Sequence, residues 1–149
     1  MLIIDSNHLR VLRIPGSKSN RLKTKLIADG RDVVTTIINV HEGIKGYFHE
    51  INEAKNGSAK IAPYANLQSL LEYYANWIVL PFDEVAAKRF DDLKRIPILR
   101  RIGAWDLQIA AIALCHGATV LTQNIKDFKD IPELKVEDWL IEAPSDEPP

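Results

Sequence analysis

The chain has 149 residues, 46% of them hydrophobic and 26% charged, with a formal net charge of −1. That length suits one domain with its own core, and a charge so near zero excludes whole-molecule attraction to nucleic acid or membrane, leaving only local patches to recruit either. The single cysteine, Cys115, excludes an internal disulfide and a cysteine-built metal cage. No apolar run reaches membrane-spanning length and no charged-then-apolar leader opens the chain, so the reading is of a cytoplasmic protein.

In chain order, "LIID" at 2–5 reads as a buried strand that stops on an aspartate. A helix carrying Leu9, Val11 and Leu12 follows, and "PGSKSN" breaks it. Leu22, Leu26 and Ile27 mark a second helix by their spacing. "DGRD" is a turn, and "VVTTIINV" at 33–40, β-branched almost throughout, reads as the second strand. "HEGIKGYFHEINEAK" returns to helix until "NGS", and Leu67, Leu70, Leu71 and Tyr74 define a long helix beyond it. "WIVLPF" is a third strand stopped by Pro81, and Asp83 stands as the N-cap of "DEVAAKRFDDLKR". "KRIPILRR" is a basic connection. "WDLQIAAIALCHG" is an apolar helix closed by Gly117, "ATVLT" a fourth strand and "LKVEDW" a fifth. The acidic, proline-rich end at 142–149 has nothing to bury and is expected to be disordered. Strands alternating with helices and lacking period-2 patterning predict an α/β fold. It is a three-layer α/β/α sandwich over 1–141, with a mostly parallel central sheet of four to five strands.

In such sheets ligands bind beyond the carboxyl ends of the strands. Asp5 ends the first strand, Glu42 follows the second in the first turn of its helix, and Asp106 opens the apolar helix before the fourth. Asn124 and Asp127 follow that strand. Each has an ordinary explanation: Asp5 and Asp106 as N-caps, Glu42 through the helix dipole, Asp127 as a turn residue. Together they are harder to dismiss, because converging carboxylates resist ionisation unless a cation balances them. Oxygen donors of this kind suit Mg²⁺ or Mn²⁺, and a cation so held activates water and stabilises a phosphodiester oxygen.

"LIIDSN", "INVHEGIKG", "RIGAWDLQIAAIAL" and "TVLTQNIKDFKDIPELKVEDW" together resemble the PIN domain, and within it the VapC-type toxins, over residues 1–139. The resemblance implies a Mg²⁺- or Mn²⁺-dependent endoribonuclease silenced by a cognate antitoxin, with RNA as substrate and a homodimer as the assembly. It assigns Asp5, Glu42 and Asp106 to the acidic positions that hold the metal, with Asp5 and Asp106 foremost as its direct ligands. Asn7 matches the family's polar residue two after the first aspartate, and Gly46 matches its glycine. Two positions depart from the pattern. Asn39 stands where many members carry a hydroxyl, and Asn124 replaces the fourth acid, with Asp127 three residues on as an alternative. The departures bear on whether one metal or two are bound.

Lys94, Arg95, Arg100 and Arg101 crowd the approach to Asp106, with Lys88 and Arg89 on the preceding helix. Arg95, Arg100 and Arg101 are the candidates for RNA phosphates, against a merely solvated basic face. Trp105 could stack on a base, though core packing explains it better, and Cys115 reads as a small core residue. The four histidines form no zinc pattern, and nucleophile-elbow, Walker A and dinucleotide motifs are absent. Two other functions remain. A phosphatase using Asp5 as nucleophile would want an acid at Asn7, and a non-catalytic RNA- or partner-binding module with a degenerate site draws support from Asn124.

Overall fold

The computed structural model describes residues 1–141, so the expectation for 142–149 lies outside the described residues. The elements run β1 (Leu2–Ile4), α1 (Ser6–Arg13), α2 (Ser17–Asp29), β2 (Val33–Thr36), α3 (Ile37–Glu53), α4 (Gly57–Tyr74), β3 (Val79–Leu80), α5 (Glu84–Arg95), a 3₁₀ turn (Pro97–Arg101), α6 (Ala104–Cys115), β4 (Thr119–Leu121), α7 (Ile125–Phe128) and β5 (Lys135–Glu137). Every strand pair is parallel, and the sheet order is β3-β2-β1-β4-β5. The chain therefore winds outward from β1 to one edge through β2 and β3, then returns to lay β4 and β5 on the other side.

Alternation along the short strands sends apolar side chains to both faces. Ile3, Val34 and Val120 pack with Leu93 of α5 and Ile109 and Ile112 of α6. Leu2, Ile4 and Leu121 pack with Leu9, Leu12, Leu22, Leu70 and Tyr74 from α1, α2 and α4. This is the expected three-layer α/β/α arrangement, with the sheet wholly rather than mostly parallel. The shortness of the strands makes it possible: three residues are enough to cross a core in which both faces are covered.

Local capping sets the boundaries, and at one place it overrides strand propensity. The run expected as strand over 33–40 leaves the sheet at Thr36, and Ile37–Val40 opens α3. Thr36 is the N-cap: its hydroxyl oxygen accepts the Asn39 N–H at 3.3 Å, and the same hydroxyl donates to Asn39 Oδ1 at 2.7 Å. One side-chain pair closes the first turn from both directions, which four β-branched residues alone would not reveal. Glu42 is consequently in the second turn of its helix, not the first. Elsewhere Asp83 caps α5 as expected, accepting the Ala86 N–H at 2.9 Å, and Gly117 takes a φ of +57° just past α6. The third strand shrinks to two residues. Cys115 falls on the exposed side at the end of α6, against the core reading given by its apolar neighbours.

The α3–α4 hairpin brings Gly43 against Tyr74, whose hydroxyl donates to the Asn39 carbonyl at 3.2 Å. A Cβ on Gly43 would sit 2.8 Å from that hydroxyl oxygen, and the phenol is too buried, at 8% exposure, to swing aside. Gly43→Ala should therefore destabilise the protein by about 1–2 kcal/mol through overpacking. In a Tyr74→Phe background the same change should be neutral or stabilising by up to about 1 kcal/mol, from helix propensity alone. Urea unfolding of the four proteins in this cycle checks both signs.

Candidate active site

Asp5 follows β1 at the point where the sheet order reverses, between β1 and β4, and the crevice of a parallel sheet opens there. Its side chain is 6% exposed. Three donors replace the lost water. Oδ1 accepts from the Ser6 backbone N–H at 2.7 Å and from Asn39 Nδ2 at 2.8 Å, and Oδ2 accepts from the Thr122 hydroxyl at 2.7 Å. The cap and the site are thus one arrangement: Asp5 is the N-cap of α1 and the innermost carboxylate of the crevice.

Asn39 and Thr122 are fully buried. Asn39 stands on α3, Thr122 just beyond β4, and the two grip Asp5 from opposite sides. The hydroxyl of Ser6 donates to Glu42 Oε2, which fixes the exposed Glu42 carboxylate at the mouth. Asp106 lies in the first turn of α6. It is not the cap expected from sequence; that position belongs to Gly103, which offers no side chain. Asn124 Nδ2 donates to Asp106 Oδ2 at 3.1 Å and to Asp127 Oδ2 at 2.7 Å. Asp127 in turn faces Arg101, whose Nη1 is 3.6 Å from Asp127 Oδ1 and whose other nitrogen bonds Asp130.

The cleft, about 400 Å³ in volume, is bounded by Asp5, Asn7, Glu42, Asp106, Gln123 and Asn124. All the predicted acidic positions meet here except Asp127, which stands behind Asn124 and leans on Arg101. Among the described residues, no three His, Cys, Asp or Glu side chains already close around a single point. Burial pushes Asp106 up to about 6, and the neighbouring charges of Asp5, Asp127 and Glu42 push in the same direction, with the Asn124 bond opposing them. The site therefore holds its full negative charge only at an electrostatic cost.

The remaining predicted residues fall as follows. Arg95 pairs with Asp92 at 3.0 Å, and Arg100 is exposed on the 3₁₀ turn. Trp105 is half-buried against the α5–α6 core, with the His41 ring 4.9 Å away and Lys45 4.8 Å over its face. His8 is fully buried and its Nε2 accepts the Trp139 N–H at 3.2 Å, tying the segment after β5 to α1. Desolvation holds its pKa below the usual histidine range. Sequence reasoning treated Asn39 only as a departure and did not find Ser6, Thr36 or Thr122. The one available signal was the Thr-x-x-Asn spacing of a helix start.

A wholly parallel sheet that collects carboxylates at its switch point, with α3 and α6 each contributing one, defines a PIN-like fold. No family model matches the sequence. The tRNA(fMet)-specific endonuclease VapC of Salmonella typhimurium is 28% identical over 130 residues, spanning 77% of this chain and 98% of that protein. A ribonuclease VapC of Rickettsia bellii is 42% identical over 73 residues, 46% of this chain and 53% of that one. Among solved structures, VapBC2 of Rickettsia felis bound to a promoter DNA fragment superposes with a TM-score of 0.69 at 25% identity, covering 93% of this chain and 98% of that one. FitAcB of Neisseria gonorrhoeae superposes with a TM-score of 0.65 at 27% identity, covering 93% and 97%. In sequence and fold together, the chain resembles the PIN-domain ribonucleases of the VapC type.

The raised pKa of Asp106 fixes a sign. Its folded value lies above the unfolded value near 4, so the native state keeps a proton that the unfolded state has already released. Without metal, stability should fall as pH rises from about 4 to about 6 and stay low above that. Asp106→Asn should remove this loss and make the metal-free protein more stable at pH 7.5 by about 1–2 kcal/mol, after allowance for solvent screening. Thermal melts in EDTA across pH 4–8 test it; a variant less stable than the parent at pH 7.5 contradicts it.

Proposed function

We propose that the protein is a Mg²⁺- or Mn²⁺-dependent endoribonuclease acting as the toxin of a toxin–antitoxin pair. The observation that carries this reading is the convergence of Asp5, Glu42 and Asp106 on one cleft at the carboxyl edge of the sheet, where burial, and after it mutual repulsion, already raise the Asp106 pKa. The donor set fits a hard cation. All the polar atoms are oxygens or amides, and Mg²⁺ commonly binds through one or two carboxylates while keeping several waters, so the absence of a closed three-ligand cluster does not count against it. Asp5 and Asp106 would hold the ion and Glu42 would face it from the mouth. When bound, such a cation lowers the pKa of water and offsets charge building on the phosphoryl oxygens.

The chain's own contribution is preorganisation. Asn39 and Thr122 hold Asp5 in one orientation, so its oxygens need not reorganise as the reaction proceeds. Asn124 holds Asp106 in the same way. Glu42 Oε1, free of the Ser6 bond, would take a proton from the attacking water as the P–O bond to the leaving nucleoside breaks, and the departing oxygen would take its proton from solvent. No covalent enzyme intermediate is required. The relatives support the substrate class: one is named for cleavage of an initiator tRNA and another as a ribonuclease. Arg95, Arg100 and Arg101 are the proposed cations for the RNA backbone on the α5–α6 side. The complexes among the structural neighbours support an antitoxin as partner; a homodimer completes the proposal, as does a cytoplasmic location. Among the described residues no helix is long and apolar enough to cross a membrane.

The purified protein, incubated with a panel of structured RNAs including tRNAs, should cut a defined site in Mn²⁺ or Mg²⁺ and none in EDTA. Asp106→Asn should lower the rate by more than about a hundredfold, and Asn39→Ala or Thr122→Val by about 10–100-fold, as for groups that orient metal ligands. A protein that cuts no RNA and also binds no Mn²⁺ would overturn the nuclease and favour the non-catalytic binding module.

A further inference from the structure

The acidic cleft cannot attract a polyanion by itself. Any RNA whose phosphodiester enters it must be held by cations close by, and the molecule's net charge of −1 supplies no general pull. Four of the eight arginines already face carboxylates. Arg31 faces Asp29, Arg89 faces Glu133, Arg95 faces Asp92 and Arg101 faces Asp127 and Asp130.

Arg10 and Arg13 differ. Three residues apart on α1, they share a face of that helix. Arg10 is exposed and makes no ion pair among the described residues. Arg13 meets no carboxylate either: its Nη1 donates to the Tyr47 hydroxyl at 3.1 Å, and its guanidinium lies 6.0 Å from the centre of the Tyr47 ring. Both line a cavity of about 290 Å³ between α1, α3 and α4, close to the lower size limit of small-molecule sites. Ser6, Asn7 and Glu42 belong to this cavity and to the acidic cleft alike, so the two are continuous.

The rest of the wall is aromatic. Tyr73 and Tyr74 spend their hydroxyls on backbone carbonyls of Leu9 and Asn39, at 3.4 and 3.2 Å. Tyr47 accepts from Arg13 with its hydroxyl oxygen and keeps its own O–H to donate. What these side chains offer a ligand is therefore chiefly ring surface and that one donor, next to two cations that pair with no carboxylate among the described residues.

We propose that this cavity is the subsite for the nucleotide adjoining the scissile phosphodiester, with Arg10 and Arg13 holding its phosphate and Tyr47 and Tyr73 forming the wall against its base; the inference rests on the ribonuclease reading above. Cations paired with ring surfaces are how single-stranded nucleic acid is held without sequence readout. A flat base suits a small cavity walled by rings. The guanidinium pair suits a phosphate better than it suits the apolar side chains of a protein partner. The subsite lies on the α1 side of the cleft, opposite the α5–α6 connection, so the RNA backbone would enter the acidic cleft over Arg10 and Arg13, which no carboxylate neutralises among the described residues.

The test separates binding from cutting. Affinity for a fluorescein-labelled single-stranded RNA octamer of mixed sequence is measured by anisotropy in EDTA, over a range of salt. Arg10→Ala, Arg10→Glu and Arg13→Ala should each weaken binding at least fivefold. The double alanine variant should weaken it at least thirtyfold and flatten the salt dependence by about 1.4 in slope, the value for two phosphates on a single strand. Tyr47→Leu should weaken binding by about fivefold or more through lost stacking. Lys135→Ala, which removes a charge at the amino end of the sheet, should leave affinity unchanged. Melting curves confirm folding, and Arg10, being exposed, carries the test if Arg13→Ala melts early.

Unchanged affinity and slope in the arginine variants overturn the subsite, as does a parent protein that binds no octamer. If those same variants also fail to retain a co-produced antitoxin, the cavity belongs to the protein partner instead. A parent that binds the octamer through Arg10 and Arg13 yet cuts no RNA in Mn²⁺ upholds the subsite and defeats the nuclease, so the two failures are distinct.

Discussion

Taking a carboxylate out of water costs several kcal/mol unless donors replace the solvent it loses. Asp5 is placed where that cost is highest, at the end of the central strand of a sheet covered on both faces. Much of the surrounding structure can be understood as meeting that requirement. Asn39 and Thr122 approach from just beyond the strands on either side of β1, and each can do so only because β2 and β4 stop short and hand the chain to a helix or a turn. The early end of β2 at Thr36, the cap it forms and the position of Glu42 one turn later follow from the same demand. An unsupported Asp5 would remove the reason for this local geometry.

The outer carboxylates are balanced differently. Asp106 is the least comfortable charge in the cleft, and only the Asn124 amide eases it. An aspartate at position 124 would add a fourth repulsive charge. The asparagine instead donates to Asp106 and Asp127 together, while Arg101 neutralises Asp127 from behind. The departure from the family pattern thus lowers the cleft's negative charge and moves the fourth acid out of its wall. If the site binds metal as proposed, this arrangement would suit a single cation between Asp5 and Asp106 better than a second ion beside Asn124.

The layered fold and the acidic trio were legible because they depend on local signals. "LIID" is short, apolar and ended by a charge, and "WDLQIAAIAL" is apolar on every side with one carboxylate in its first turn. Such features survive in a linear string. The boundary at Thr36 was not, since Val-Val-Thr-Thr-Ile-Ile favours strand by side-chain shape, while the competing cap depends on a hydrogen bond between Thr36 and Asn39. The partners of Asp5 were less legible still: Asn39 is 34 positions away and Thr122 is 117. Nothing in a buried Asn or Thr announces which distant carboxylate it serves. Cys115 misled for a related reason, since its neighbours are apolar but the last turn of α6 rotates it into solvent. The pairing of Arg10 and Arg13 with an aromatic cavity was likewise invisible, because Tyr47 and Tyr73 come from other helices.

The central claim is that Asp5 and Asp106 hold a divalent cation at the switch point of the sheet. The most direct measurement is an anomalous difference map from crystals soaked in Mn²⁺, collected on either side of the manganese absorption edge. The account predicts a single strong peak within coordinating distance of both carboxylates, bordered by Glu42 and absent from Asp106→Asn crystals treated identically. No peak in the cleft at millimolar Mn²⁺, or one that persists unchanged in the variant, would contradict it.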